Sequence, residues 1–351
     1  MSLLKPLERW LRFRLRALLR RRSPAESRGL PTPVRRVLVY RLDEKIGNGI
    51  LLLPLLRAIR ASHPEAVLDL LVHAPVATLY RHCPKPELAR ILAWDQPVLL
   101  RRPWRLLTLL RGLRRRRYDI AVTVHTPGDF SVSQALLGRW LRPGLLVGFD
   151  GPEGSVAYDR RAPVIPGRPY REAVVDLWRT VDPAAVCDTR PMRLEGAGTP
   201  ERGAPVLLWL GATGDKVLPA DLLAFLYEEM RSRFDREVRL AAPAGDAVRL
   251  GPDIPRWVLD RLELWEGDLV GAGRRFRRHA VVVGGDTGPM HLAVALGCPT
   301  LTIFTRSDRD VYGHALQGRH YPCRWEGRPD DRVAISRVLD ALARTVGTGQ
   351  R

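Results

Sequence analysis

Cysteine is scarce and scattered in this chain. Its four cysteines, Cys83, Cys187, Cys298 and Cys323, form no C-x-x-C pair and no histidine stands at zinc spacing from them. Neither a disulfide framework nor a metal site is expected, and a reducing cytosol fits. Long apolar runs are missing too. Nothing reaches the roughly 18 residues that a spanning helix needs, and the first residues lack an uninterrupted hydrophobic stretch with a small-residue cleavage site, so secretion is not expected. Acidic residues are in deficit, with 38 Asp and Glu against 57 Lys and Arg, a net charge of +19. That excess calls for an anionic partner: membrane lipid, phosphorylated glycolipid or nucleic acid. No helix-turn-helix, zinc or stacking-aromatic motif accompanies the arginines, which argues against nucleic acid.

What is plentiful is hydrophobic material, 45% of 351 residues. That is enough for two packed domains and leaves no compositional case for disorder in the body. The basic charge is clustered. Residues 1–36 hold eleven Lys or Arg against Glu8 and Glu26, a net of +9, and further runs lie at 114–117 and 274–278. In the first segment Leu7, Trp10, Leu11, Leu15, Leu18 and Leu19 share one helical stripe with arginines opposite. This is the pattern of an interfacial helix, so residues 1–22 are expected to meet an anionic membrane surface.

A Pro-, Ser- and Gly-rich linker closes this basic arm at residue 33. Strands then read at 34–40, 67–72 and 120–124, with helices at 50–62, 104–116 and 131–140. The plan repeats as strand 206–210, loop 211–216, helix 221–234, strands 238–242 and 280–283, helix 288–296 and strand 300–304. Strands alternating with helices imply parallel sheets. The aperiodic stretch 190–205 reads as the link between an N-terminal domain, 34–190, and a C-terminal domain, 191–351. Two doubly wound domains facing a cleft are expected, with ligands at the carboxyl ends of the strands.

The sharpest signal is the stretch VVVGG followed by DTGPMHLAVALGCPT, 281–300. It reads as a strand, a turn and a helix. Asp286 or Thr287 is placed to cap the helix, Pro289 suits its first turn and Gly297 ends it. The amides of Thr287, Gly288 and Met290 would then face the cleft at the positive end of the helix dipole. The segment is either an anion seat or a plain strand-to-helix turn.

This stretch resembles the C-terminal signature of the bacterial heptosyltransferases, glycosyltransferase family nine, and FTRSD at 304–308 falls where that family has F-G-x-T-D. RLDEKIGNGILLLPLLRAIR at 41–60 is similar to the family's N-terminal motif R-x-D-x-x-G-D-x-x-L-x-x-P-x-L-R-x-L. YDIAV at 118–122, VGF at 147–149 and GATGDK at 211–216 resemble the family's intervening motifs. The resemblance implies an α/β protein of the GT-B architecture, two Rossmann-like domains, here preceded by a basic amphipathic helix. It further implies inverting transfer, without metal or cofactor, of a sugar from a nucleotide diphosphate, ADP-heptose foremost. The acceptor would be a glycolipid such as lipopolysaccharide core, and the place of work the cytoplasmic side of the inner membrane. The leaving diphosphate would be stabilised by the amides of Thr287 and Gly288 and by Lys216, with Thr213 and Met290 in the same donor motifs. His291 would touch phosphate or hold Asp286. Asp246, in AAPAGD, loosely occupies the place of the family's ribose-binding acid.

One departure matters. Asn48 stands where the family's G-D pair places the carboxylate that deprotonates the acceptor, and an amide is no base. The loop is one residue longer than the motif, which leaves Asp43 or Glu44 as substitutes. It also leaves a second reading: a relative that keeps the fold as a binding or scaffold protein at the membrane. The D-x-D string at Asp308 and Asp310 is read as a solvated loop.

Overall fold

The computed structural model describes residues 32–84, 86–151, 157–212, 216–247, 254–316 and 318–348. The expected N-terminal amphipathic helix lies outside the described residues. The chain divides into two compact units. One comprises Met1–Glu44, Leu52–Ala77 and Pro86–Asp188; the other comprises Lys45–Leu51, Thr78–Lys85 and Thr189–Arg351.

The first unit is built on strands β1 (Arg36–Tyr40), β2 (Val67–His73), β3 (Arg90–Trp94), β4 (Ile120–Thr123), β5 (Leu145–Phe149) and β6 (Arg160–Ala162). They pair in the order β3-β2-β1-β4-β5-β6, parallel throughout. The inner strands are continuous apolar runs, because helices cover both faces of a parallel sheet and leave no polar side to alternate with. Val37, Leu38, Val39 and Tyr40 are all fully buried. The second unit carries β7 (Val206–Trp209), β8 (Val238–Pro243), β9 (Leu262–Trp265), β10 (Val281–Gly285), β11 (Thr300–Phe304) and β12 (His320–Arg324). Their order is β12-β11-β10-β7-β8-β9, again parallel. Counted within its own unit, each sheet therefore has the doubly wound order 3-2-1-4-5-6. The reversal falls between β1 and β4 in one and between β7 and β10 in the other, and the rule for open sheets places ligand sites there.

Several expected elements shift. The helix expected over 50–62 is two pieces, Ile46–Ile50 and Leu53–Ser62, with Pro54 in the first turn of the second. A proline tolerates a helix start and not its interior, so the chain restarts there. The basic helix expected over 104–116 is found as Pro103–Arg115, and a further short helix, Gln96–Arg101, capped by the Asp95 side chain, precedes it. Strands β3, β6, β9 and β12, the helix Tyr170–Arg179 and the C-terminal helix Pro329–Thr348 were not expected. The four strands are edge or near-edge strands, short or rich in charge, and β12 contains Pro322, which a central strand would exclude. Among the described residues no helix is long and apolar enough to cross a membrane.

The helix Gly288–Ala295 ends as expected at Gly297. Its amide donates to Val294 (2.9 Å) and the Cys298 amide to Ala293 (3.0 Å), closing a Schellman motif. Gly297 has φ +73°, and a β-carbon there would lie 2.8 Å from Pro191 Cγ. Gly297→Ala is expected to cost about 1–3 kcal/mol through left-handed strain and this clash. A thermal melt reads the loss as a lowered midpoint, and an unchanged midpoint would contradict this account of the turn.

Candidate functional site

At the carboxyl end of β10 the chain turns sharply. A β-carbon on Gly284 would stand 2.8 Å from the Trp209 carbonyl oxygen, so the strand approaches β7 as only glycine allows. Asp286 follows, its amide bonded to Ile303 of β11 (2.9 Å). Thr287 then holds the N-cap position of the helix Gly288–Ala295 with extended backbone, and Pro289 lies in the first turn.

The capping expectation needs correction. Neither Asp286 nor Thr287 caps the helix through its side chain. Asp286 instead faces an ammonium and an imidazole, with Lys216 Nζ 2.8 Å from Oδ2 and His291 Nε2 3.1 Å from Oδ1. Its carboxyl is only 4% exposed. Burial pushes its pKa up, but contacts from His291, Lys216 and Ser307 outweigh that and hold it well below the usual carboxylate range. The Thr287 hydroxyl is buried without a hydrogen-bond partner among the described residues. The result is a helix start without a side-chain cap among the described residues, beside a partly exposed Lys216. That arrangement suits an anion, which gains both the helix dipole and an ammonium. The Met290 side chain is buried, so what it offers to a ligand is its amide.

The N-terminal motif reaches this helix through glycine. A β-carbon on Gly47 would lie 2.4 Å from His291 Cδ2, and one on Gly288 would lie 2.9 Å from Ile46 Cβ. The short helix Ile46–Ile50, which carries Asn48, thus packs directly on the start of Gly288–Ala295. Asn48 is 6% exposed. The Tyr80 hydroxyl donates to the Gly49 carbonyl (3.1 Å) and steadies the turn.

The first unit has its own polar cluster at the ends of β1 and β4. Arg41 is buried, bonds through Nε to Asp43 Oδ1 (2.8 Å) and makes a second contact to Asp43 and one to the Tyr170 hydroxyl. His125 is buried, with Nδ1 3.1 Å from the Thr126 carbonyl and Nε2 3.3 Å from the Tyr158 hydroxyl. Burial, with the Arg41 charge, lowers the His125 pKa and keeps the ring neutral. Of the substitutes for Asn48, Asp43 is therefore bound to a guanidinium, and Glu44 is solvent-exposed. Sequence reasoning missed Arg41, His125, Tyr158 and Tyr170 as site residues. The signal for two of them was position, since Arg41 directly follows β1 and His125 comes two residues after β4.

Three other expectations resolve differently. Thr213 lies outside the described residues, and so does the side chain of Asp246, whose backbone is in the short helix Ala244–Ala247. Asp308 is an N-cap: its carboxylate accepts from the amides of Asp310 (2.8 Å) and Val311 (3.3 Å). The D-x-D string is thus a helix start rather than open loop.

Comparison with known proteins bears on this geometry. Residues 266–324, which include β10, the Asp286 turn and the helix after it, match the family model for Glycosyltransferase family 9 (heptosyltransferase). Over those residues the chain resembles glycosyltransferase family 9. A search of curated proteins finds no match. Among solved structures, the chain is similar to E. coli ADP-heptose lipopolysaccharide heptosyltransferase II, with TM-score 0.66, 19% identity and coverage of 90% of this chain and 100% of that one. E. coli heptosyltransferase WaaC with ADP gives TM-score 0.63 at 20% identity, covering 88% and 99%. A family 9 glycosyltransferase from Veillonella parvula gives 0.64 at 13%, covering 86% and 89%. At these identities the likeness is one of fold, and the fold is the GT-B-like α/β architecture.

The Asp286 pairing predicts a pH dependence. A carboxyl depressed by folding contributes stability that is present above about pH 4 and is lost as pH falls below that, through its folded-state pKa. Asp286→Asn should therefore lower the melting midpoint at neutral pH, with the gap to the wild type narrowing below about pH 4. A gap independent of pH would mean that Asp286 is not held as a carboxylate.

Proposed function

We propose that the chain is an inverting glycosyltransferase that moves a heptose, or a closely similar sugar, from an ADP-sugar to a lipopolysaccharide-core or related glycolipid acceptor. The observation that carries this reading is the uncapped helix start at Thr287–Gly288, which lies inside the segment that matches family 9, with Lys216 paired to Asp286 beside it. In this reading the C-terminal domain, 191–351, binds the donor and the N-terminal domain, 34–190, receives the acceptor. As the sugar leaves, negative charge grows on the diphosphate. The amides of Thr287, Gly288 and Met290 and the Lys216 ammonium are fixed before that happens, so no reorganisation opposes the step, and none of these groups requires a metal. Asp286 holds Lys216 in place and His291 holds Asp286. Thr213 and Asp246 join the donor side by the family motif. ADP as the nucleotude is supported by the ADP seen with the similar E. coli WaaC. The protein would work on the cytoplasmic face, peripheral to the inner membrane, held there by residues 1–22.

A second reading rests on a specific observation. Asn48 is buried at the motif position of the family's base, and Asp43 is engaged by Arg41. Both facts favour a weakly active or non-catalytic relative that binds donor or acceptor without rapid turnover.

Calorimetric titration with ADP, ADP-heptose and UDP- and GDP-sugars, followed by a transfer assay of the wild type and Asn48→Asp, separates the two. Selective ADP-heptose binding is expected. A carboxylate restored at position 48 is expected to raise transfer on the order of 10²–10⁴-fold, the usual worth of a general base. No binding of any donor would overturn the transferase reading. Binding without turnover in either form would leave the scaffold reading standing.

A further inference from the structure

The first unit presents a surface outside the polar cluster described above. Residues 96–117 contain eight arginines and no Asp or Glu. The helix Pro103–Arg115 turns Leu109, Leu110 and Leu113 toward the core of its unit. On its other side Trp104 is 62% and Leu107 43% exposed, and Leu100 on the preceding helix Gln96–Arg101 is 66% exposed. Trp104, Leu107, Arg111 and Arg115 follow at steps of three or four residues, so they share one outer stripe. Two of the arginines are committed inward: Arg114 bonds the Trp140 carbonyl (2.8 Å) and stacks on its ring, and Arg116 pairs with Asp69 (2.8 Å). The other six, Arg101, Arg102, Arg105, Arg111, Arg115 and Arg117, are exposed and have no ion pair among the described residues.

Three large apolar tips ringed by unpaired arginines suit few partners. A second copy of the chain would bring the same positive charge to the contact, and residues 1–36, with their net +9, are repelled in the same way. A nucleic acid would satisfy the arginines but would leave the two leucines in water. An anionic bilayer satisfies both, because tryptophan and leucine gain by entering the headgroup boundary while guanidinium groups stay among the phosphates. We propose that the outer face of residues 96–117 is a membrane-docking surface for anionic lipid, with Leu100, Trp104 and Leu107 inserted and the six arginines lying on the headgroups. The surface is independent of the transferase reading and would serve a scaffold equally well.

The test is co-sedimentation of the full chain with phosphatidylcholine vesicles, with and without phosphatidylglycerol. It compares the wild type, the triple variant Leu100→Ser/Trp104→Ser/Leu107→Ser, the single variant Trp104→Ser, and Arg101→Gln/Arg102→Gln/Arg105→Gln. The wild type should bind only the phosphatidylglycerol vesicles, less tightly as salt rises. The arginine variant should bind on the order of 100-fold more weakly, and the triple variant at least about tenfold more weakly. All the side chains changed are exposed, so thermal melts should match the wild type; if the triple variant fails to fold, Trp104→Ser decides alone by the same loss of binding. Wild-type binding by both the arginine variant and the folded apolar variants would overturn the proposal and place any membrane contact elsewhere, for example in residues 1–31. Binding to a single-stranded RNA in preference to the vesicles, insensitive to the apolar substitutions, would overturn it in favour of a nucleic-acid surface.

Discussion

The second unit is organised around one buried carboxylate. Asp286 is almost wholly removed from water and stays ionised because an ammonium and an imidazole meet its two oxygens. A charge in that position is costly unless paired, and removing either partner would leave it uncompensated. The pairing thereby fixes three stretches that are remote in sequence. Lys216 ties down the end of the loop after β7, His291 sets the first turn of the helix after β10, and the His291 ring is the surface against which Gly47 packs. Because Asp286 is occupied in this way it does not cap the helix, and among the described residues no side chain caps the first turn.

The first unit solves a comparable problem with different groups. At the ends of β1 and β4 the buried charge is a guanidinium, Arg41, and its partners are Asp43 and the Tyr170 hydroxyl. His125 beside it is kept neutral by burial. Both polar clusters lie where the strand order of their sheet reverses, the position that doubly wound sheets leave free of covering helices. The Arg41 pairing also bears on chemistry at the N-terminal motif. Both carboxylate oxygens of Asp43 are engaged by the Arg41 guanidinium, so any other partner would have to compete with it for them. The amide at Asn48 is thus not simply compensated by its acidic neighbour.

Much of the fold was legible because inner strands of parallel sheets are apolar on both faces, so VLVY, VVVGG and TLTIF stand out without any period. The edge strands were not legible. RRA and HYPCR carry charge or proline, and only their neighbours make them strands. The turn from β10 into the helix Gly288–Ala295 was legible as a local pattern of strand, glycine and proline. Its detailed chemistry was not, because capping by Asp286 is the local default and what overrides it is an ion pair with a lysine 70 positions away. The pairing of Gly47 with His291 had no local trace either. His125 was hidden for a related reason, since a single histidine after a strand gains meaning only when burial and the Arg41 charge are known.

The most direct test of the claim that this helix start and Lys216 form a diphosphate seat compares ADP with adenosine by calorimetry, in the wild type and in Lys216→Met. The account predicts that ADP affinity falls about 10- to 100-fold in the variant, the worth of a charge-assisted hydrogen bond, while adenosine binding is unchanged. An ADP-to-adenosine preference that is the same in both proteins would contradict it.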